Sequence, residues 1–259
     1  MNAYAWNFEP RLIFGLVLLL LAYLTIVYPL AQRLGVAPAT VVERNRFVLA
    51  WVFLFVALVS PIDTLSLVSL AMHMVQHLIL ILVVPPLLIM SIPPQIGSLV
   101  LRNEQVVAVL RSVFHPVTVF LVYNAIFLGW HVPGNYDLAV RDQQVHSLEH
   151  ITFLMGAILS WWPVYSLQPE VPRSTPGVLM LYLFFMSIPP TILGALLTFA
   201  GFVVYPAYEG VARPWGMSAQ ADQELAGLIM WLPGGLIYFV VLTIIFFRWF
   251  NRPGDDSSV

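Results

Sequence analysis

Apolar stretches near the roughly 20 residues that a helix needs to cross a bilayer recur along almost the whole chain. Seven of them stand out, at 12–31, 47–60, 65–92, 114–130, 146–165, 178–205 and 225–247. In lipid every backbone polar group must be satisfied internally, so such stretches are read as helices. The expectation is an all-α, polytopic transmembrane helix bundle of about seven spans. Of the 259 residues 60% are hydrophobic and only 9% charged, against about 25% charged in a soluble domain. No polar linker is long enough to separate two units, so residues 1–259 are expected to form one transmembrane domain. Glu9 and Arg11 precede the first stretch without a basic leader or a small-residue cleavage site, so that stretch reads as a retained span.

Arginine placement orients the bundle. All 11 basic residues are arginine. Arg33, Arg44, Arg46, Arg102, Arg111, Arg173, Arg248 and Arg252 fall on one side, and Arg11, Arg141 and Arg213 on the other. The richer side is expected to be cytoplasmic. That puts the N-terminus outside and the C-terminus in the cytoplasm, so cysteines introduced at Asn2 and Ser257 should label from opposite sides. Most acidic residues fall on the outer side, where they attract cations weakly at physiological salt. A net charge of −2 gives no reason to expect nucleic acid as a partner. With no cysteine, disulfides, iron–sulfur clusters and thiolate metal sites are excluded.

Prolines interrupt several stretches, at Pro85-Pro86, Pro163, Pro189-Pro190 and Pro233. Each removes a backbone donor, and the carbonyl it frees must find a partner inside the bundle. Packing irregularity and a broken helix lining a cavity are both open readings. Met-Ser-Ile-Pro-Pro occurs twice, at 90–94 and 186–190, a weak sign of duplication.

Five of the six histidines gather toward the outer ends of their stretches. His73 and His77 are four apart, as are His146 and His150, so each pair shares one helical face. His131 closes the fourth stretch, while His115, beside Pro116 at an inner end, reads as structural. Two imidazoles one turn apart can bind one ion, and two such helices facing each other could offer four donors for copper, zinc, iron or nickel. Met72 and Met74 flank His73, and thioethers suit Cu(I). Asp63, Glu149, Asp222 and Gln76 are candidates to orient the imidazoles. For one buried histidine, a bond to a neighbouring helix is the plainer explanation; two pairs and a fifth at one depth favour a metal or haem site. Asp63 and Asp222 could equally be helix caps. His146-Ser147-Leu148-Glu149-His150 also matches the inverted zinc-protease pattern, with Glu149 as base.

Several stretches together resemble the CtaG family of cytochrome c oxidase assembly factors, the multi-span bacterial membrane family. They are Ser60-Pro61-Ile62-Asp63, His73-Met74-Val75-Gln76-His77, Pro85-Pro86-Leu87-Leu88, Trp130-His131-Val132-Pro133, the 146–150 segment, Trp161-Trp162-Pro163, and Asp222-Gln223-Glu224-Leu225-Ala226-Gly227 with Met230-Trp231. The resemblance implies a multi-pass protein of the bacterial cytoplasmic membrane that helps mature a heme–copper oxidase, handling copper, with oxidase subunits or other copper-handling proteins as partners. It carries the family's recurring histidines onto His73, His77, His131, His146 and His150. A non-enzymatic copper-handling assembly factor is therefore the leading expectation. The alternatives are a b-haem electron carrier ligated by a pair such as His77 and His150, a zinc hydrolase using Glu149, and a purely structural subunit.

Overall fold

The computed structural model describes residues 4–101, 103–171 and 173–252. Arg102 and the chain ends at Asn2 and Ser257, on which part of the orientation rests, lie outside the described residues. The chain is 78% helical, with no strand among the described residues. In order, the helices are α1 (Pro10–Arg33), α2 (Val41–Val59), α3 (Pro61–Ser66), α4 (Leu70–Ile89), α5 (Pro94–Val100), α6 (Glu104–Val113), α7 (Pro116–Trp130), α8 (Pro133–Arg141), α9 (Gln143–Tyr165), α10 (Pro176–Phe199) and α11 (Ala219–Phe250).

Length and apolarity mark four of these as membrane-crossing: α1, α4, α10 and α11. A fifth is added if α6 and α7, bent by 59° at their junction, count as one span. The remaining expected stretches fall short of that measure for physical reasons. Helix α2 opens with Glu43, Arg44 and Arg46, and the first two turns of α9 carry Gln143, Gln144, His146, Glu149 and His150. Helix α7 has 15 residues, or about 22 Å at 1.5 Å per residue, short of a 30 Å hydrocarbon core. The stretch at 178–205 ends early, at Phe199, and its last residues join a loop. The stretch at 65–92 is trimmed to α4 and preceded by the separate α3.

Helix starts follow from capping chemistry. Thr40 and Glu43 form a reciprocal capping box at α2. Asp142 accepts from the amides of Gln144 and Val145 at 2.8 and 3.1 Å and starts α9. His115 caps α7 through Val117 N, which gives it the structural role expected of it. Helices α10 and α11 run through Pro189-Pro190 and Pro233 without a break. In α4 the helix widens into one π-turn at Ile79–Val83, just ahead of Pro85-Pro86. Pro85 cannot donate to Ile81 O, and Trp161 of α9 supplies the missing donor at 2.8 Å. That bond joins the two helices that carry the histidine pairs.

Helix α4 is the centre of the bundle: 61% of its apolar window is buried, against 11% for α1 and 17% for α11. Outer helices turn large apolar side chains such as Phe14, Leu18, Leu236 and Phe239 outward, as lipid-facing helices do. Helices α10 and α11 approach closely at Gly194 and Gly227. A Cβ on Gly194 would meet Gly227 O at 2.9 Å, and one on Gly227 would strike Thr198 and the Gly194 carbonyl. Gly227→Ala is expected to cost about 1–3 kcal/mol by overpacking, read as a lower unfolding temperature in detergent. An unchanged midpoint would mean that the two backbones can separate freely.

Candidate metal centre

The helical period that puts His73 and His77 on one face of α4 and His146 and His150 on one face of α9 is not enough to make a site; the faces must meet. They do. The His73 and His77 rings are 4.2 Å apart, His77 and His150 5.5 Å, His73 and His146 5.5 Å, and His146 and His150 4.2 Å, between centroids. Within this group His73, His77, Glu149 and His150 each offer a donor atom, and these four atoms lie within 4.8 Å of one another. Imidazole ligands about 2.0–2.1 Å from a tetrahedral ion stand roughly 3.3 Å apart, so small side-chain movements would gather all four on one ion.

The hydrogen bonds prepare the donors. Burial holds the Tyr208 phenol far above its usual titration range, so it remains an O–H. It donates to Ser66 O at 2.9 Å, because a carbonyl can only accept. Its oxygen therefore accepts from His73 Nδ1, 3.2 Å away. That places the His73 proton on Nδ1 and leaves Nε2 with its lone pair toward the cluster. His73 Nε2 is 2.8 Å from His77 Nε2, so one proton lies between them, carried by His77. Bound metal would take its place.

The carboxylate is the unusual member. Glu149 is 0% exposed, and neither of its oxygens has a hydrogen-bond partner. His73 Nε2 lies 3.8 Å from it and His77 Nε2 3.9 Å. The remaining nitrogens of His146, His150 and His77 are also buried without partners. Such orphaned atoms are costly in an apolar interior unless something satisfies them. A cation would answer the carboxylate and the lone pairs together, so the residues present fit a metal ion. Glu149, expected to orient an imidazole, thus stands among the donors.

The other expected residues are placed differently. His146 lies beside the group, outside the set of four donors. His131 lies behind Phe153, whose ring is 4.7 Å from His77 and 6.0 Å from His131, and its Nδ1 donates to Phe127 O at 2.7 Å. Asp63 is held by Asn7 and Gln76, at 2.7 and 2.8 Å, in place of the expected imidazole. Burial pushes its carboxyl above the usual range, against the pull of those two bonds. Asp222 is a cap. It accepts from Ser69 Oγ and the Leu70 and Ala71 amides, and pairs with Arg213 at 3.0 Å. Met74 packs in the core beneath the cluster.

Sequence reasoning missed the loop that covers the cluster. Between α10 and α11 the chain turns back over the histidines. Tyr205 donates to His131 O at 3.1 Å, Tyr208 reaches His73, and Tyr136 of α8 stacks on Tyr205. The loop is fastened by Arg213 on Asp222 and on Tyr208 O, by Gln223 on Phe202 O and Val204 N, and by Ala207 N on Asp137. Its tyrosines carry no spacing signal; only the aromatic density of 205–208 hinted at them. Tyr208→Phe removes the acceptor that fixes the His73 tautomer. The expected result is a metal affinity lower by about 10–100-fold with the fold intact, measured by competition with a chromogenic chelator. Affinity within twofold of wild type would show that the tautomer needs no such anchor.

Residues 21–252 match the family described as cytochrome c oxidase caa3 assembly factor (Caa3_CtaG). The chain belongs to that family. Curated relatives include an uncharacterized protein of Mycobacterium leprae, 27% identical over 77% of this chain and 33% of its own length. An uncharacterized protein of Mycobacterium bovis is 27% identical over 73% of this chain and 31% of its own length. The chain thus spans about a third of the curated relatives it matches. No solved structure matches it. As a CtaG-family chain with several apolar helices of spanning length, it is a membrane protein.

Proposed function

We propose that this CtaG-family chain is an assembly factor that receives copper on the outer side of the bacterial cytoplasmic membrane and delivers it to a heme–copper oxidase. The observation that carries this reading is the gathering of three imidazoles and an unpartnered carboxylate within 4.8 Å inside an apolar bundle. Copper is the cargo. His73, His77, His150 and Glu149 hold it, and His146 stands beside them as a reserve donor. The absence of thiolates leaves binding reversible enough for hand-over, since the softest ligands for copper are missing from the cluster.

The haem alternative loses support on space. The cavity that touches His77 and His131 measures about 30 Å³, whereas pockets for cofactor-sized ligands run to about 300–1,000 Å³. A zinc hydrolase needs an open coordination position for water, and this cluster is closed over by Tyr136 and Tyr208.

The test is metal analysis of the purified full chain with membrane oxidase activity in parallel. Copper should copurify, and His150→Ala should lower both copper content and oxidase maturation. Zinc in place of copper, or normal oxidase maturation in the variant, would overturn the reading.

Seven spans with the N-terminus outside complete the proposal, with α2 and α9 crossing despite their polar first turns, within one bundle. The chain has no native cysteine, so single cysteines report cleanly. Glu209→Cys, in the loop over the cluster, should label from outside in intact cells. Asn251→Cys should label only after permeabilisation. The opposite pattern would put the cluster on the cytoplasmic side.

A further inference from the structure

Behind the cluster, between α4, α7, α10 and α11, lies a cavity of about 30 Å³, room for one small ion or a water or two. Most of its wall is apolar, and Pro190 of α10 forms part of it. Six side chains on that wall carry donor atoms: His77, His131, Met74 and Met230, with nitrogen and sulfur, and Tyr123 and Tyr238, with neutral hydroxyls that are poor ligands for a soft ion. His131 is 6% exposed; its Nδ1 is spent on Phe127 O, and the remaining nitrogen, Nε2, has no partner. A carbonyl can only accept, so Nδ1 bears the proton and Nε2 keeps its lone pair. His77 faces two ways. Nε2 meets His73 in the cluster, and Nδ1 is buried without a partner. Met74 and Met230 are also buried.

We infer that this cavity is a second metal site, taking a single Cu(I) ion between His131 Nε2 and the thioethers of Met74 and Met230, with His77 able to serve either site in turn through whichever ring nitrogen is unprotonated. Thioether and neutral imidazole are soft or borderline donors that select Cu(I) over divalent ions. Among the described residues the wall carries no carboxylate, so a dication there would keep its full charge in an apolar interior, whereas a monocation costs far less. The two sites therefore differ in kind. The cluster has Glu149 and nitrogen donors, and the cavity has sulfur and no acid. An ion released by the cluster through His77 has somewhere to go. This last point rests on the copper reading of the cluster; the cavity site itself does not.

The experiment uses the purified full chain in detergent under anaerobic conditions. Ag(I), a redox-inert stand-in for Cu(I), and Zn(II) are titrated against competing chelators, and X-ray absorption reports the ligand atoms of bound Cu(I). The variants are M74L, M230L, the double M74L/M230L, which conserves volume and polarity class, and H131F. Sulfur scattering is expected in the wild type and is lost in the double variant together with one Ag(I) equivalent. Each single variant should weaken Ag(I) binding by about tenfold or more, at least the size of a lost outer-sphere partner, and leave Zn(II) binding at the cluster unchanged. An all-nitrogen/oxygen shell in the wild type, or sulfur scattering that persists in M74L/M230L, overturns the cavity site. Loss of metal from H150A and E149Q alone would then leave the cluster reading standing. Conversely, Ag(I) binding that depends on Met74 and Met230 but not on His150 or Glu149 establishes the cavity and removes the cluster. Melting curves of the variants matched to wild type verify the fold, and H131F tests the site without touching either methionine.

Discussion

Replacing His73 and His77 together with alanine is expected to abolish tight metal binding at the cluster, lowering affinity by at least about a hundredfold, since even loss of an outer partner costs 10–100-fold. These two residues supply two of the four gathered donors, and His73 is the one whose free lone pair is fixed by a tyrosine. His115→Ala is the control: it lies at the start of α7 and caps that helix, away from the cluster. It should leave binding unchanged. Glu149→Gln separates charge from coordination. The amide conserves shape but removes the negative charge, so affinity should fall more for a divalent than for a monovalent ion. Metal uptake at the cluster should shift the His77 proton from Nε2 to its unpartnered Nδ1, so that imidazole releases no proton to solvent. Titration in weak buffer measures it. A double variant that keeps copper within about tenfold of wild type, below the loss expected for even one outer partner, would sink the assignment.

The largest stability effect is expected at Asp222→Asn. Asp222 is 0% exposed, accepts from Ser69 Oγ at 2.6 Å and Leu70 N at 2.8 Å, and balances a buried Arg213 at 3.0 Å. The amide leaves the guanidinium buried without a counter-charge, a loss of about 3–5 kcal/mol. For a chain of this size that lowers the unfolding midpoint by on the order of 10 °C. The damage should also reach the cluster, because Arg213 holds Tyr208 O and Tyr208 holds His73. Replacing both partners with apolar residues removes the uncompensated charge, so Arg213→Met with Asp222→Leu should be less damaging than Asp222→Asn alone. Strict additivity of the two changes would show that the pair is not coupled.

Helical period and apolar length, both local properties, made much of this chain legible. The four-residue spacing of His73 with His77 and of His146 with His150 fixes that each pair shares a face, because a turn closes every 3.6 residues. The apolar runs locate α1, α4, α10 and α11, and the family motifs locate the rest of the histidines. Spacing cannot say which way a face turns, and only the packing of α4 on α9 brings the two pairs together. The same limit hid where Glu149 would stand: it sits one residue before His150 but joins the group only because α4 brings His73 and His77 to it. Tyr208 is 135 residues from His73, and Arg213 meets Asp222 only where a loop folds back over a helix start. A loop has no period, so its partners are set by the surfaces it covers. For Asp63 and Asp222 the sequence left cap and imidazole partner equally open. Ser60 and Ser218 take the N-cap places of α3 and α11, and buried neighbours set the partners instead, with α4 amides and Arg213 around Asp222, and Asn7 and Gln76 around Asp63.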